Sequence, residues 1–256
     1  AHAAVSADRF GAREWAARVE LAAAYRIFDL LGWTELIYNH ISLRVPGGEG
    51  GATHFLINPF GLHYSEVTAS NLLKIDLQGR IVGEAAWLFN PAGFVPHATL
   101  HANVPGAHCV MHTHTTAGMA VACLEDGLSM SNFYSAQLHG KLAYHDFEGI
   151  TVHADEAPRL LASIGSDKPA VILRNHGLLS WGDTVARAFA VLWTLQRACE
   201  VQLATLAMGR PRMIPEVIQR KCTADSLQFS AQFGAGQDVF DALVRRIERI
   251  DPGYRS

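Results

Sequence analysis

Gly106-Ala107-His108-Cys109-Val110-Met111-His112-Thr113-His114-Thr115-Thr116 is the stretch on which the reading of this chain turns. An apolar run leads into a His-x-His pair. In an extended strand successive side chains alternate faces, so His112 and His114 point together while Thr113 points away. Two imidazoles one pleat apart form half of a metal site. The pair alone reads equally well as a surface pair or as histidines satisfied by core hydrogen bonds, because two ligands do not complete a site.

The chain has 256 residues, 49% hydrophobic and 18% charged, which permits a large buried core and excludes wholesale disorder. A formal charge of −3 gives no footprint for nucleic acid or for a membrane surface. No apolar stretch reaches the roughly 18 residues that cross a bilayer. Four cysteines, Cys109, Cys123, Cys199 and Cys222, lie far apart without a Cys-x-x-Cys pair, which suits a reducing cytoplasm and argues against a disulfide framework. Cys109 and Cys199 sit in apolar runs and read as buried small hydrophobes. The start, Ala1-His2-Ala3-Ala4, reads as a trimmed end without a signal-peptide core. The compositional anomaly is the count of 13 histidines.

Working outward from the central stretch, helical periodicity spans residues 12–31 and stops at Gly32. Residues 39–45 and 54–58 alternate as half-buried strands across a turn at Pro46–Gly51. Thr68 onward reads as a short helix leading into a strand at Lys74–Leu77. Pro96 opens a helix carrying His97 and His101, because proline is at home in a first turn. A helical Thr116–Leu124 follows the central strand. Strand signals recur at 143–144, 150–152, 169–173 and 178–181, with a helix at 157–164 between them. The longest helix is expected from an Asp183 N-cap to Met208, ended by Gly209 and Pro211, with Val185, Phe189, Leu192, Trp193, Cys199, Leu203 and Leu206 as its buried stripe. A final amphipathic helix carries Val239, Leu243, Ile247 and Ile250. The expectation is an α/β chain: one αβα layered domain over residues 1–256 with a mostly antiparallel central sheet, residues 210–256 being a C-terminal helical arm that packs on a neighbouring subunit.

A metal site needs a third ligand from elsewhere. His176 is the best candidate, where the apolar strand 170–173 breaks into Asn175-His176-Gly177, with Gly177 letting the backbone turn sharply. Three neutral imidazoles with an open fourth position are the pattern of a catalytic metal. His97 and His101, spaced i, i+4, imitate the His pair of zinc proteases, but Ala98 stands where their general base would be. His97 remains a candidate acid/base or supporting group.

Asn90-Pro91-Ala92-Gly93-Phe94-Val95-Pro96-His97, His112-Thr113-His114-Thr115, Tyr144-His145-Asp146-Phe147-Glu148-Gly149 and Arg174-Asn175-His176-Gly177-Leu178-Leu179 resemble the class II aldolase/adducin family, in its adducin-like bacterial branch, over roughly residues 14–210. The resemblance implies an αβα fold, a homotetramer with sites at subunit boundaries, and a divalent ion on His112, His114 and His176, zinc in the sugar-phosphate aldolases. Two departures stand out. An acidic residue nineteen positions before the first metal His in those aldolases corresponds here to Gly93, and their phosphate-binding Gly-Asn pair before Ile-Ser corresponds to Asn39-His40 before Ile41-Ser42. Both argue against a sugar-phosphate substrate. Tyr134 falls near the position from which a neighbouring subunit supplies a catalytic tyrosine; an interface aromatic is the plain alternative.

The leading functional reading is a metal-dependent carbon–carbon lyase, a decarboxylase or retro-aldolase acting on a small hydroxy, keto or aromatic acid. Breaking a C–CO₂ bond needs no base, which suits Gly93, but it needs an acid to quench the carbanion, a role open to His40, His97 or Tyr134. Asn39, His40, Ser42, Phe60 and Gly93 are the candidate substrate-binding residues. Alternatives are an Fe(II) oxygenase, since three His can hold iron with open positions, and a non-catalytic binding module like adducin. Zinc is the first choice of metal; three imidazoles also accept Mn, Fe, Co or Ni.

Overall fold

A computed structural model describes residues 8–45, 51–150 and 153–256. The start Ala1–Ala4, most of the Pro46–Gly51 turn, and Thr151 and Val152 of the expected strand lie outside the described residues. The middle layer is a sheet of β1 (Ile41–Arg44), β2 (His54–Ile57), β3 (Leu73–Asp76), β4 (Cys109–Thr113), β5 (Leu142–His145), β6 (Ala170–Leu173) and β7 (Gly177–Gly182). Their spatial order is β3-β2-β1-β4-β7-β6-β5. Neighbours are antiparallel except β5 with β6. The mostly antiparallel αβα domain expected from the sequence is what the chain forms.

Alternation along the strands makes the two layers. Ile41 and Leu43 of β1, Cys109 and Met111 of β4, and Ile172 of β6 face a large core shared with α1 (Ala12–Leu31), α3 (Thr116–Ala122), α4 (Phe133–Ala136) and α6 (Val185–Met208). Val110, Val171, Leu179 and Trp181 face the other side, under α2 (Pro91–Asn103) and α5 (Ala157–Ile164). With both faces covered, β6 is an unbroken apolar run, Ala170-Val171-Ile172-Leu173, buried throughout. Each such Ile or Leu contributes about 1.5–3 kcal/mol by leaving water. Ser42 falls on the α2 face, as does His112, two residues after Val110.

Several local readings change. Residues 68–72 form a turn rather than a helix, because the Asn71 side chain accepts from Thr68 N–H and donates to the Glu66 carbonyl, both at 2.9 Å. Helix α2 begins at Pro91, five residues before the expected start. Asn90 caps it by accepting from Ala92 N–H at 3.1 Å, and Pro96 lies inside, where its missing N–H leaves the Ala92 carbonyl without its helical partner. The cap of α6 is Thr184, whose hydroxyl accepts from Arg187 N–H at 3.1 Å, while Asp183 pairs with the Arg187 guanidinium at 3.5 Å. Leu203 and Leu206, expected in the buried stripe of α6, are exposed because the helix runs past the sheet there, and Trp193 is only partly buried.

The C-terminal segment, α7 (Glu216–Ala224) and α8 (Gln237–Ile250), folds back onto its own chain. Phe240 packs on Phe189 of α6 with ring centroids 6.0 Å apart, and Ile247 and Tyr254 join the main core. The buried face of α8 is therefore set by Phe240 and Ile247, leaving Val239 and Ile250 exposed. Cys109 and Cys199 are buried and all four cysteines are free. Among the described residues no helix is long and apolar enough to cross a membrane.

Candidate metal centre

The strand order brings two separate stretches to one end of the sheet. β4 finishes at Thr113 with His112 inside it and His114 just beyond; β7, its neighbour, begins at Gly177, directly after His176. The link from β6 to β7 is a three-residue turn in which Asn175 takes the left-handed conformation at φ 58°, which a short polar side chain tolerates. Gly177 serves a different need from a sharp turn. A Cβ there would stand 2.3 Å from the Thr113 carbonyl oxygen and 3.1 Å from His114 Cδ2. Only glycine lets the two strands close behind the histidines.

Gly177→Ala is expected to destabilise the chain by about 1–3 kcal/mol, the range for overpacking against atoms that cannot rotate away. Its obstacle is backbone, so the strand itself must move, and with it His112, His114 and His176. Urea unfolding of the variant checks this; stability unchanged from wild type would contradict it.

The triad is assembled. Nε2 of His112 and Nε2 of His114 are 2.7 Å apart, and all candidate donor atoms of His112, His114 and His176 lie within 4.8 Å of one another. His112 Nδ1 donates to the Leu178 carbonyl at 2.9 Å, which fixes the tautomer and aims a bare Nε2 at its partners. Without a cation, His114 must then be the donor between the two Nε2 atoms, and a bound ion would displace that proton. Burial holds His112 well below the ordinary imidazole range and takes His176 down to about 4, in each case helped by neighbouring imidazoles. Burial also lowers His114, against the pull of Glu35. All three are therefore neutral at physiological pH, the form that ligates metal. A tetrahedral ion at about 2.0–2.1 Å from each nitrogen needs donors roughly 3.3 Å apart, a figure inside the spread of this cluster. The residues present fit a divalent ion.

The triad opens on a cavity of about 400 Å³ lined by Tyr38, Met119, Phe147, Ile150 and Leu160 on its apolar side and by Glu35, His40, Asn90 and Glu156 on its polar side. Among its described lining residues none is lysine or arginine. Of the residues singled out from the sequence, His40 lines this cavity and stacks on His112, ring centroids 5.3 Å apart. Gly93 sits behind the His40 ring and Ser42 is buried between His97 and His101. Asn39 is buried with neither side-chain polar atom paired. Phe60 packs on Tyr38 with ring centroids 6.4 Å apart and planes tilted by 47°. His97 is fully buried behind His40, at 2.8 Å from its Nδ1. Tyr134 packs on Trp193 at 5.6 Å, away from the cavity of its own chain. Phe147 and Ile150, which the sequence places in a family-like motif and a strand signal, line the cavity instead; their apolar character within and just past the Tyr144–Gly149 stretch is the signal that points there.

Comparison with known proteins agrees with this architecture. Solved structures include an aldolase II superfamily protein from Pseudomonas syringae, 40% identical with a TM-score of 0.89, the match covering 97% of this chain and 98% of that one. An L-fuculose 1-phosphate aldolase from Glaciozyma antarctica is 28% identical with a TM-score of 0.82 over 95% of this chain and 93% of its own. Rat alpha-adducin is 41% identical over 252 residues, 93% of this chain but 34% of the adducin, so the chain spans about a third of that relative. The profile of the Class II Aldolase and Adducin N-terminal domain matches residues 19–203. With that profile matched over most of its length, and with close relatives on both its aldolase and adducin sides, the chain belongs to the class II aldolase and adducin family.

Proposed function

We propose that this chain is a divalent-metal-dependent carbon–carbon lyase acting on a small hydroxy, keto or aromatic acid, by decarboxylation or retro-aldol cleavage. The observation that carries the reading is the neutral His112/His114/His176 cluster, His112 buried and the other two partly so, facing a largely apolar cavity. A divalent ion held there, zinc by preference, supplies Lewis-acid polarisation of the substrate's oxygens and stabilises the charge left when the bond breaks. The cavity wall adds acidic side chains, Glu35 and Glu156, and no described cation. A phosphate ester would meet no basic partner on this wall, whereas one carboxylate suits a single bound dication. The apolar side accepts an aromatic ring or short chain and keeps water from the reacting carbon.

In decarboxylation the C–CO₂ bond breaks, its electron pair stays on the substrate carbon, CO₂ leaves, and a proton must reach that carbon. We assign that proton to Tyr134 of an adjoining copy in a homotetramer; the neighbouring Phe133 is 71% exposed and available to a contact between copies. His97 acts through His40, as a positioning residue. Residues 210–256 close the single unit and are assigned no part in the chemistry. A second reading, a non-catalytic binding module, draws on the 41% identity to alpha-adducin. Assaying the metal-loaded chain against a panel of hydroxy, keto and aromatic acids, with release of CO₂ or aldehyde as readout, tests the proposal. Turnover that disappears in His176→Ala is expected. Cleavage of L-fuculose 1-phosphate in preference to every acid, or no turnover at all by the loaded protein, would contradict it.

A further inference from the structure

Gly93 and His40 occupy one volume. A Cβ at position 93, in the first turn of α2, would lie 2.2 Å from His40 Cδ2 and 2.5 Å from its Nε2. The His40 ring therefore fills the place of any side chain that residue 93 could have sent toward the cavity. From its other edge a line of hydrogen bonds runs away from the site. His40 Nδ1 meets His97 Nε2 at 2.8 Å, His97 Nδ1 meets Ser42 Oγ at 2.5 Å, Ser42 Oγ meets His101 Nε2 at 2.7 Å, and His101 Nδ1 meets the Ala107 carbonyl at 2.8 Å.

The direction of this line is forced. A carbonyl only accepts, so His101 carries its proton on Nδ1, and its neutral Nε2 must accept from the Ser42 hydroxyl. Ser42 has one proton, already committed, so its oxygen accepts from His97 Nδ1–H. His97 Nε2 in turn accepts from His40 Nδ1–H. What remains at the cavity end is His40 Nε2 with a bare lone pair and no hydrogen-bond partner among the described residues. Burial keeps the inner imidazoles of the line neutral: His101 is taken down to about 3, and His97 lies well below its ordinary range.

We propose that His40 Nε2 is the cavity's fixed hydrogen-bond acceptor, set by a one-way relay anchored on the Ala107 carbonyl, and that it selects substrates presenting a hydroxyl donor beside the group held at the histidine triad. The selection rests on the triad gripping an acid, as argued above; the relay itself does not. A hydroxy acid satisfies Nε2, whereas the corresponding keto acid sets oxygen lone pairs against it and leaves both desolvated. The relay explains why His97 and His101 stand four residues apart on α2: both reach the single Ser42 oxygen.

Long-range ¹H–¹⁵N spectra of the histidine rings in the metal-free chain read the tautomers directly, with no variant and no activity needed. His40, His97 and His101 are each expected as the Nδ1–H form; an Nε2–H tautomer at His40 overturns the proposal whatever the protein catalyses. Ser42→Ala should leave His101 as Nδ1–H and release His97 and His40 to mixed tautomers; a His40 signal unchanged in that variant also overturns it. On the zinc-loaded chain, mandelate should bind about tenfold or more tighter than phenylglyoxylate. Equal or reversed affinity for that pair overturns the selection while leaving the metal site and the lyase reading intact.

Discussion

Replacing His114 with alanine is expected to abolish stoichiometric binding of a divalent ion while leaving the fold in place. His114 lies one residue beyond the end of β4 and is only partly buried, so its loss removes no ladder bond and opens no sealed cavity. What it removes is one of three nitrogen donors. Loss of a group that merely orients a ligand costs about 10–100-fold in metal affinity, so loss of a ligand sets that range as a floor. The partners left behind are neutral and already oriented, His112 by the Leu178 carbonyl, and would hold an ion only weakly in pairs. Isothermal titration with zinc, beside a circular dichroism spectrum and an unfolding curve, separates affinity from folding. An unchanged stoichiometry in a folded variant would remove His114 from the ligand set.

The second large effect is acid sensitivity of the metal-free chain. His97 and His101 are buried and held neutral, His101 with a folded pKa of about 3, burial being the first cause, and the field of Arg44 also lowers it. In the unfolded chain each returns to about 6.5. A depressed imidazole pKa means that the unfolded state binds more protons below 6.5, so stability is full above that pH and declines as the pH falls toward the folded value. By about pH 5 His101 alone has withdrawn on the order of 2 kcal/mol, and His97 adds a loss in the same direction, against a total stability of about 5–15 kcal/mol. Urea midpoints at pH 7 and pH 5 should therefore differ strongly, and His101→Gln should show the shallower dependence. A midpoint that does not move with pH would mean that these rings are not held neutral in the core.

How much of this was legible in the sequence follows from distance along the chain. The sheet could be read because its signals are local: β6 announces itself as four apolar residues, and the alternation in β1 survives in Ile41-Ser42-Leu43-Arg44. The triad could be read because two members lie two residues apart at the end of one strand and the third sits at a turn beside glycine. Pro96 misplaced the start of α2 because a proline in a first turn and one in a second turn look alike in sequence; the Asn90-Pro91 pair carried the better signal, a capping side chain followed by proline at the first helical position. The buried face of α8 is half legible: Ile247 and Leu243 pack on the core as expected, whereas Phe240 replaces Val239 and Ile250 because it meets Phe189, a contact across more than fifty residues. Sequence alone assigns Gly177 to a turn, whereas close approach to Thr113 requires it and Asn175 supplies the left-handed residue. The relay was beyond reach from sequence, since Ser42 meets His97 and His101 only after β1 has paired with β4 and α2 has crossed the sheet.

The central claim is that His112, His114 and His176 hold a divalent ion that the chemistry uses. Metal content by mass spectrometry, on protein purified anaerobically without an affinity tag and again after reconstitution, addresses it most directly. The account predicts close to one zinc or manganese per chain. Iron at that stoichiometry would contradict the lyase and point to oxygen chemistry, and no bound metal even after reconstitution would contradict the metal centre itself.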